Sequence, residues 1–292
     1  MRNFEIFFDD GEVSPVEDPA AAPYGKLGFP APPPQRPWIY SNFVQSLDGI
    51  ASFKGRHPLG SDISQSAEDR WLMDLLRAHA DAIILGMNTL VEEARVTSGR
   101  GPVYRIEEPG LRDLRRKLRR RKEINIFVTG IAALDLDAYR VFDGDLVETL
   151  ILTTAAGLSK LNNDKLKKRA AAGIRVIVAG EGALVDLPKA MEILRAQFGI
   201  EYLLCEGGPT LYGYMSRAGL IDEKFITLSP VEVGLLAPPG QGTAEAEKGA
   251  SYSQRPTTFM APGFTKEDAP WWDWLSCRRV GNHQFGRYRR IR

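Results

Sequence analysis

The sequence predicts an α/β fold with a mostly parallel central sheet and an antiparallel edge at the C-terminal end. Three observations carry that prediction. Ala82-Ile83-Ile84-Leu85 and Leu203-Leu204-Cys205 are short and wholly apolar, as strands covered on both faces are. Trp71, Leu72, Leu75, Leu76 and Ala80 form a one-sided helical stripe between two such runs, so the order is β-α-β-α, which favours parallel pairing. The piece from Trp274 to Arg292 instead carries two short alternating segments, suited to an antiparallel edge pair.

Taken in order, residues 1–36 read as a proline-rich arm. Phe4 to Phe8 suits a short strand or an anchor on the body, and Pro15, Pro19, Pro23, Pro30 and Pro32-Pro33-Pro34 block regular structure after it. A single domain over residues 37–292 is expected to follow. Its first core strand runs from Trp38 into the polar turn Ser46-Leu47-Asp48-Gly49. A Gly/Pro loop leads to Ser64 or Ser66 as the cap of the striped helix, with Glu68 and Asp69 in its first turn and His79 expected on its surface. Gly86 to Thr89 closes the next strand and opens a short helix through Glu92 and Glu93; residues 95–110 read as loop. Leu111 to Lys122 is a helix dense in Arg and Lys, read as a solvated face because no aromatics interleave the charges.

Strands are then expected at Ile124–Val128, Leu150–Leu152, Ile174–Val178, Ile200–Cys205 and Phe225–Leu228. Helices are expected at Lys160–Ala172, stopped by Gly173, and at Leu187–Gln197 and Thr210–Ala218. Residues 234–270 are rich in Gly and Pro and read as an excursion.

Composition narrows the function classes. Across 292 residues, 38 Lys+Arg against 37 Asp+Glu leave a net charge of +1, so no global field draws the chain to nucleic acid or membrane. Two cysteines make neither a disulfide framework nor a zinc site, which points to a reducing cytoplasm. No apolar run reaches membrane-spanning length, and Met1-Arg2-Asn3-Phe4 lacks a secretory leader's apolar stretch. His57, His79 and His283 have no metal-ligand spacing, and no metal is expected.

Several strands end alike: Ser46 to Gly49, Gly86 to Thr89, Thr129-Gly130, Thr153-Thr154, Gly180-Glu181-Gly182 and Glu206 to Thr210. In a parallel sheet these ends share one edge, where backbone N–H groups, hydroxyls and glycines suit a long phosphate-bearing ligand. The common dinucleotide fingerprint is absent, since Gly180-Glu181-Gly182 continues to Ala183-Leu184-Val185 without a third glycine.

Ser46-Leu47-Asp48-Gly49, Leu75-Leu76-Arg77-Ala78, Gly86 to Thr89, Glu206-Gly207-Gly208-Pro209-Thr210-Leu211, Ala218 to Glu223 and Ser229-Pro230 together resemble the reductase domain of riboflavin biosynthesis. The resemblance spans about residues 37 to 235. It implies a dihydrofolate-reductase-like three-layer α/β/α fold that uses NADPH to convert the ribosyl group of a ribosylaminopyrimidine 5′-phosphate to ribityl. By position it implies Asp48 and Glu206 as catalytic carboxylates, and Ser61, Arg77 and Arg100 as substrate contacts, Arg100 for the phosphate. It implies Gln45, Gly86, Thr89, Glu93, Thr129, Gly207, Gly208, Pro209, Thr210 and Leu211 as cofactor contacts. Family members usually dimerise, and Trp271-Trp272-Asp273-Trp274 suits either such an interface or local packing.

Two departures keep alternatives open. Asn42 stands where the family often has lysine, and Glu93-Ala94-Arg95-Val96-Thr97-Ser98-Gly99-Arg100 replaces a usual Asp-Asp-Pro-x-Leu-Thr-Val-Arg run. A reductase of the same fold acting on a pterin or another small carbonyl compound is one alternative. A non-catalytic nucleotide-binding or scaffolding protein is the other, motivated by the proline-rich arm and the arginine-rich helix.

Overall fold

The computed structural model describes residues 4–51, 59–97, 99–119, 121–131, 135–161, 173–232 and 269–291. Ten strands form one sheet: β1 (Glu5–Asp9), β2 (Trp38–Gln45), β3 (Ala82–Gly86), β4 (Ile124–Val128), β5 (Glu148–Thr153), β6 (Ile174–Val178), β7 (Tyr202–Gly207), β8 (Glu223–Leu228), β9 (Trp272–Val280) and β10 (His283–Arg290), in the order β1-β9-β10-β8-β2-β7-β3-β4-β5-β6. Every pairing from β8 through β6 is parallel, while β10, β9 and β1 add antiparallel strands at one edge. The expected sheet is therefore the observed one. Strand β7 returns from the far side to insert between β2 and β3, so its carboxyl end lies where the direction of strand addition reverses.

Strand alternation divides the core into two layers. Tyr40, Ile83, Leu85, Phe127 and Leu204 point to one face, where they meet Trp71, Leu72, Leu75 and Leu76 of α2 (Ala67–His79) and Leu111 and Leu114 of α4 (Pro109–Arg119). Ile39, Ala82, Ile84, Ile126, Leu203 and Cys205 point the other way, against Met191 and Leu194 of α6 (Leu187–Phe198) and Leu211, Tyr212 and Met215 of α7 (Pro209–Arg217). Among the described residues, three further helices are α1 (Gly60–Ser64), α3 (Met87–Val96) and α5 (Ala155–Leu158). Ser66 caps α2 by accepting from the Asp69 N–H at 3.2 Å. The expected helix over Lys160–Ala172 and the excursion at 234–270 fall almost entirely outside the described residues.

Three expectations need correction. His79 is buried, because Phe29 of the N-terminal segment lies against it at 6.1 Å while stacking on Tyr40 at 4.3 Å. The stretch 95–110 is not all loop, since α3 runs on to Val96 and Pro109 opens α4, where a proline costs no hydrogen bond. The arginine-rich helix is not only a solvated face. Arg115 turns inward and donates to the carbonyls of Arg77, Ala80 and Asp81, at and just beyond the C-terminus of α2.

Residues 4–36 are tied to the body. β1 pairs with β9, and Phe4, Tyr24 and Leu27 are buried in the first core layer. Beneath them lie two fully buried arginines. Arg278 reaches Asp9 at 2.5 Å and the Tyr24 carbonyl at 2.6 Å; Arg287 reaches Glu223 at 2.7 Å and the Gly28 carbonyl at 2.6 Å.

Candidate functional site

A cleft of about 1820 Å³ opens along the carboxyl ends of the parallel strands. Its middle is set by β7. Two-residue alternation places Glu206 on the same face as Leu204, towards α2, and there Arg77 meets it. Arg77 Nε and Nη2 each donate to one Glu206 oxygen at 2.7 Å, a bidentate pair with both side chains buried. Burial alone would lower the Arg77 pKa, but the Glu206 carboxylate more than offsets it and holds the guanidinium firmly charged. Arg77 also donates to the Arg105 carbonyl at 2.8 Å, and Asp74, one turn earlier, accepts from the N–H groups of Glu107 and Glu108. The 105–108 loop is thus fastened to α2 beside the pair.

The Gly207–Gly208 peptide is cis, and Gly207 has φ +105°, a region that favours glycine. A Cβ at Gly208 would lie 2.9 Å from Thr89 Oγ1, so the ends of β3 and β7 approach as closely as they do only with glycine there. Helices α3 and α7 both start at this point. Their N-caps, Gly86 and Gly208, supply no side-chain cap, and Pro209 has no N–H to satisfy. Thr210 and Leu211 therefore present backbone N–H groups without an intrahelical partner, beside the start of α3. Two uncapped helix starts at one cleft suit a pyrophosphate. Thr129 and Gly130 continue this half, and the chain at Ala183 crosses so close to Gly130 that a Cβ there would collide with the Ala183 carbonyl.

Glu93 lines the cleft between the two halves and accepts from the Tyr104 hydroxyl at 2.8 Å. Burial raises its pKa; the Tyr104 hydrogen bond opposes this and the nearby Glu206 charge adds to it.

Of the residues expected from sequence, Ser61, Arg77, Gly86, Thr89, Glu93, Thr129, Glu206, Gly208, Pro209, Thr210 and Leu211 line this one cleft. Gln45, Asp48, Arg100 and Gly207 are not among its described lining residues. Asp48 is exposed and accepts from Ser46 Oγ at 2.6 Å. Arg100 is turned away, donating to Asp143 at 2.8 Å and to the carbonyls of Asp137 and Tyr139. Asp69, Arg70, Met73 and Tyr104 line the cleft without having been expected in the site, and Tyr214 lines it at the end of the Gly208 to Tyr214 turn that the resemblance reaches. The signal for three of the positions on α2 was present: Asp69, Met73 and Arg77 repeat at four-residue spacing, a second face beside the apolar stripe.

The RibD C-terminal domain model matches residues 37–247, most of the chain. The chain belongs to the RibD C-terminal domain family. Among curated relatives of this family, a 2,5-diamino-6-ribosylamino-4(3H)-pyrimidinone 5′-phosphate reductase of Methanothermobacter thermautotrophicus is 32% identical over 202 residues, covering 68% of this chain and 80% of the relative. The enzyme of the same name from Archaeoglobus fulgidus is 29% identical over 68% of this chain and 83% of its own. A solved pyrimidine reductase-like protein from Corynebacterium diphtheriae has the same fold, with TM-score 0.61 at 22% identity over 88% of this chain and 92% of the other. The relatives in this RibD C-terminal domain family are named as reductases, which makes this chain an oxidoreductase of the riboflavin-biosynthesis type.

Proposed function

We propose that this protein is an NADPH-dependent reductase converting the ribosyl group of a ribosylaminopyrimidine 5′-phosphate to ribityl. The observation that carries the reading is the buried Arg77–Glu206 pair, set between a half with two uncapped helix starts and a half lined by Asn42, Ser61 and Asp69. NADPH, when bound, supplies the hydride. Thr210, Leu211 and the start of α3 suit its pyrophosphate, and Thr129 and Gly130 flank the rest of that half.

Opening the ribose ring gives an imine at C1′, and reduction places a hydride on that carbon and a proton on the nitrogen. Arg77 fixes Glu206 in one orientation, so that it can position the opened sugar. Glu93 is a cleft carboxyl on which burial favours the protonated form, and the Tyr104 hydroxyl holds it in place, so Glu93 is suited to deliver the proton. Glu206→Gln is expected to cut kcat by about 100-fold or more while NADPH still binds; unchanged kcat would remove Glu206 from the mechanism.

The phosphate contact is reassigned within this reading. Arg70 lines the cleft and pairs with exposed Glu107 at 2.9 Å, its one ion pair among the described residues, whereas Arg100 is held by Asp143. Arg70→Ala is expected to raise KM for the phosphorylated substrate about tenfold, with Arg100→Ala having the smaller effect. The position of Arg100 also favours a second reading, a phosphate-free pterin or carbonyl substrate. Activity that survives dephosphorylation of the substrate would select that reading instead.

The same proposal includes a cytoplasmic homodimer. No helix among the described residues is long and apolar enough to cross a membrane, and Cys205 and Cys277 are buried free thiols. On the antiparallel part of the sheet, Phe8, Trp274 and Tyr288 form an aromatic row, with Trp274 50% and Trp271 73% exposed. A monomer mass by light scattering at micromolar concentration would rule the dimer out.

A further inference from the structure

Asn125 is the only polar residue in the strand Ile124-Asn125-Ile126-Phe127-Val128, and it is fully buried. A covered parallel strand ordinarily carries an apolar residue at such a position. Asn125 shares a face with Phe127, and there its amide holds the backbone of Tyr104 from both sides. Its Oδ1 accepts from the Tyr104 N–H at 3.1 Å, and its Nδ2 donates to the Tyr104 carbonyl at 2.7 Å. Two residues on, the Ile106 N–H donates to Glu123 at 3.1 Å, and Arg77 and Asp74 hold the backbone of Arg105, Glu107 and Glu108. Residues 101–107 belong to no helix or strand, so side chains supply the partners that a sheet would supply elsewhere.

The Tyr104 hydroxyl donates to Glu93 Oε2 at 2.8 Å. Burial, and then the Glu93 charge, push the Tyr104 pKa well above its usual value, so the hydroxyl keeps its proton and Oε2 stays an acceptor. Glu93 Oε1 bonds to no described residue and is not shielded from solvent, and Glu93 lines the cleft. A proton on Glu93 therefore sits on Oε1, the oxygen that a ligand can reach. Around Glu93 stand Tyr104, Glu206, Arg77 and Arg70, while Glu92 and Arg95 of its own helix pair with each other at 2.7 Å.

We infer that Asn125 and Tyr104 are positioning residues for the reduction, which present Glu93 Oε1 to the reacting nitrogen and stabilise the carboxylate left when its proton departs. The inference rests on the reductase reading and deepens it. The imine nitrogen takes the proton from Oε1 as C1′ is reduced, and the new carboxylate is reprotonated from solvent. Charge appears on Glu93 only as that proton leaves, and a hydrogen bond to an ionised acceptor is roughly twice as strong as one to a neutral acceptor. The Tyr104 bond thus stabilises the transition state more than the resting site.

The test is Tyr104→Phe, which removes the hydroxyl and keeps the ring beside Phe127. With NADPH and a ribosylaminopyrimidine 5′-phosphate, kcat is expected to fall about tenfold while KM stays the same. Losing the hydrogen bond raises the Glu93 pKa, so the decline of kcat on the alkaline side should move to higher pH. Glu93→Gln should abolish that decline. Infrared titration follows the same group without turnover: the protonated-carboxyl band that Glu93→Gln removes should persist to higher pH in Tyr104→Phe. Asn125→Leu leaves the Tyr104 backbone unpaired, and should shift the alkaline decline in the same direction at a lower Tm. An unmoved decline in Tyr104→Phe would overturn the inference, whether or not the band moves. An unmoved decline in folded Asn125→Leu would remove Asn125 from it. If the unsubstituted protein turns over no ribosylaminopyrimidine 5′-phosphate, the reductase reading falls and the catalytic role with it, even where the band shifts.

Discussion

At the scale of the residue, the cleft depends on an ion pair that cannot be halved. Arg77 and Glu206 are both buried and satisfy each other through two short hydrogen bonds. Removing either partner strands a charge away from water, a loss of about 3–5 kcal/mol for a buried pair. Arg77→Met is therefore expected to lower the unfolding free energy in denaturant titration by that order, with Arg77→Met/Glu206→Met recovering much of it. A single substitution costing less than about 1 kcal/mol would mean that water reaches the pair.

His79 makes a second prediction at this scale. Burial depresses its pKa from 6.5 to about 4. The unfolded chain then binds a proton through a pH range in which the folded chain does not. Stability is unaffected above pH about 6.5 and falls as pH drops towards about 4, by about 3 kcal/mol in all. His79→Gln should flatten that part of the stability–pH curve, and an unchanged curve would contradict the assignment. Single residues were only partly legible in the sequence. Arg77 and Glu206 sit at positions a family resemblance can reach. The burial of His79 depends on Phe29, fifty residues away in a segment without regular periodicity, which no local pattern reveals.

At the scale of the element, helix α2 does two jobs with two faces. Trp71, Leu72, Leu75 and Leu76 hold it to the sheet, and Asp69, Met73 and Arg77 face the cleft. The apolar face stands out in the sequence because hydrophobic periodicity is a strong signal. The cleft face mixes Asp, Met and Arg, and resembles a solvated surface until β7 brings Glu206 opposite. The starts of α3 and α7 make a further prediction. Gly208→Ala would place a methyl group against Thr89 Oγ1. NADPH affinity is expected to fall at least tenfold in a fluorescence titration, and Thr89→Ala in the same chain should restore part of it by removing that oxygen. Equal affinity in Gly208→Ala would show that the two helix starts do not jointly hold the cofactor.

At the scale of the whole molecule, sheet order was legible only in part. Apolar runs and helical stripes foretell parallel strands, and alternation foretells the antiparallel pair β9–β10. What they do not foretell is that β7 inserts between β2 and β3, or that β1 completes the far edge. Those are long-range pairings, chosen by packing of the assembled layers rather than by local preference. The N-terminal segment likewise reads as an arm because prolines interrupt it, yet it covers Arg278 and Arg287 and buries Tyr24 and Leu27. Deleting residues 1–28 removes Asp9 from Arg278 and Glu12 from Arg287, and exposes the two side chains' partners in the core. Burial of Tyr24 and Leu27 alone contributes roughly 1.5–3 kcal/mol each. The truncated protein is expected to melt at least about 10 °C lower or to be insoluble; an unchanged Tm would show the segment to be dispensable.

The central claim is that the cleft brings a nicotinamide and the C1′ carbon of a phosphorylated ribosylaminopyrimidine together around Glu206. Its most direct test is a single turnover with NADPH deuterated at the transferable C4 position, followed by mass and NMR analysis of the product. Deuterium is expected at C1′ of a ribityl chain, appearing about 100-fold more slowly in Glu206→Gln. NADPH binding without label transfer to C1′ would contradict it.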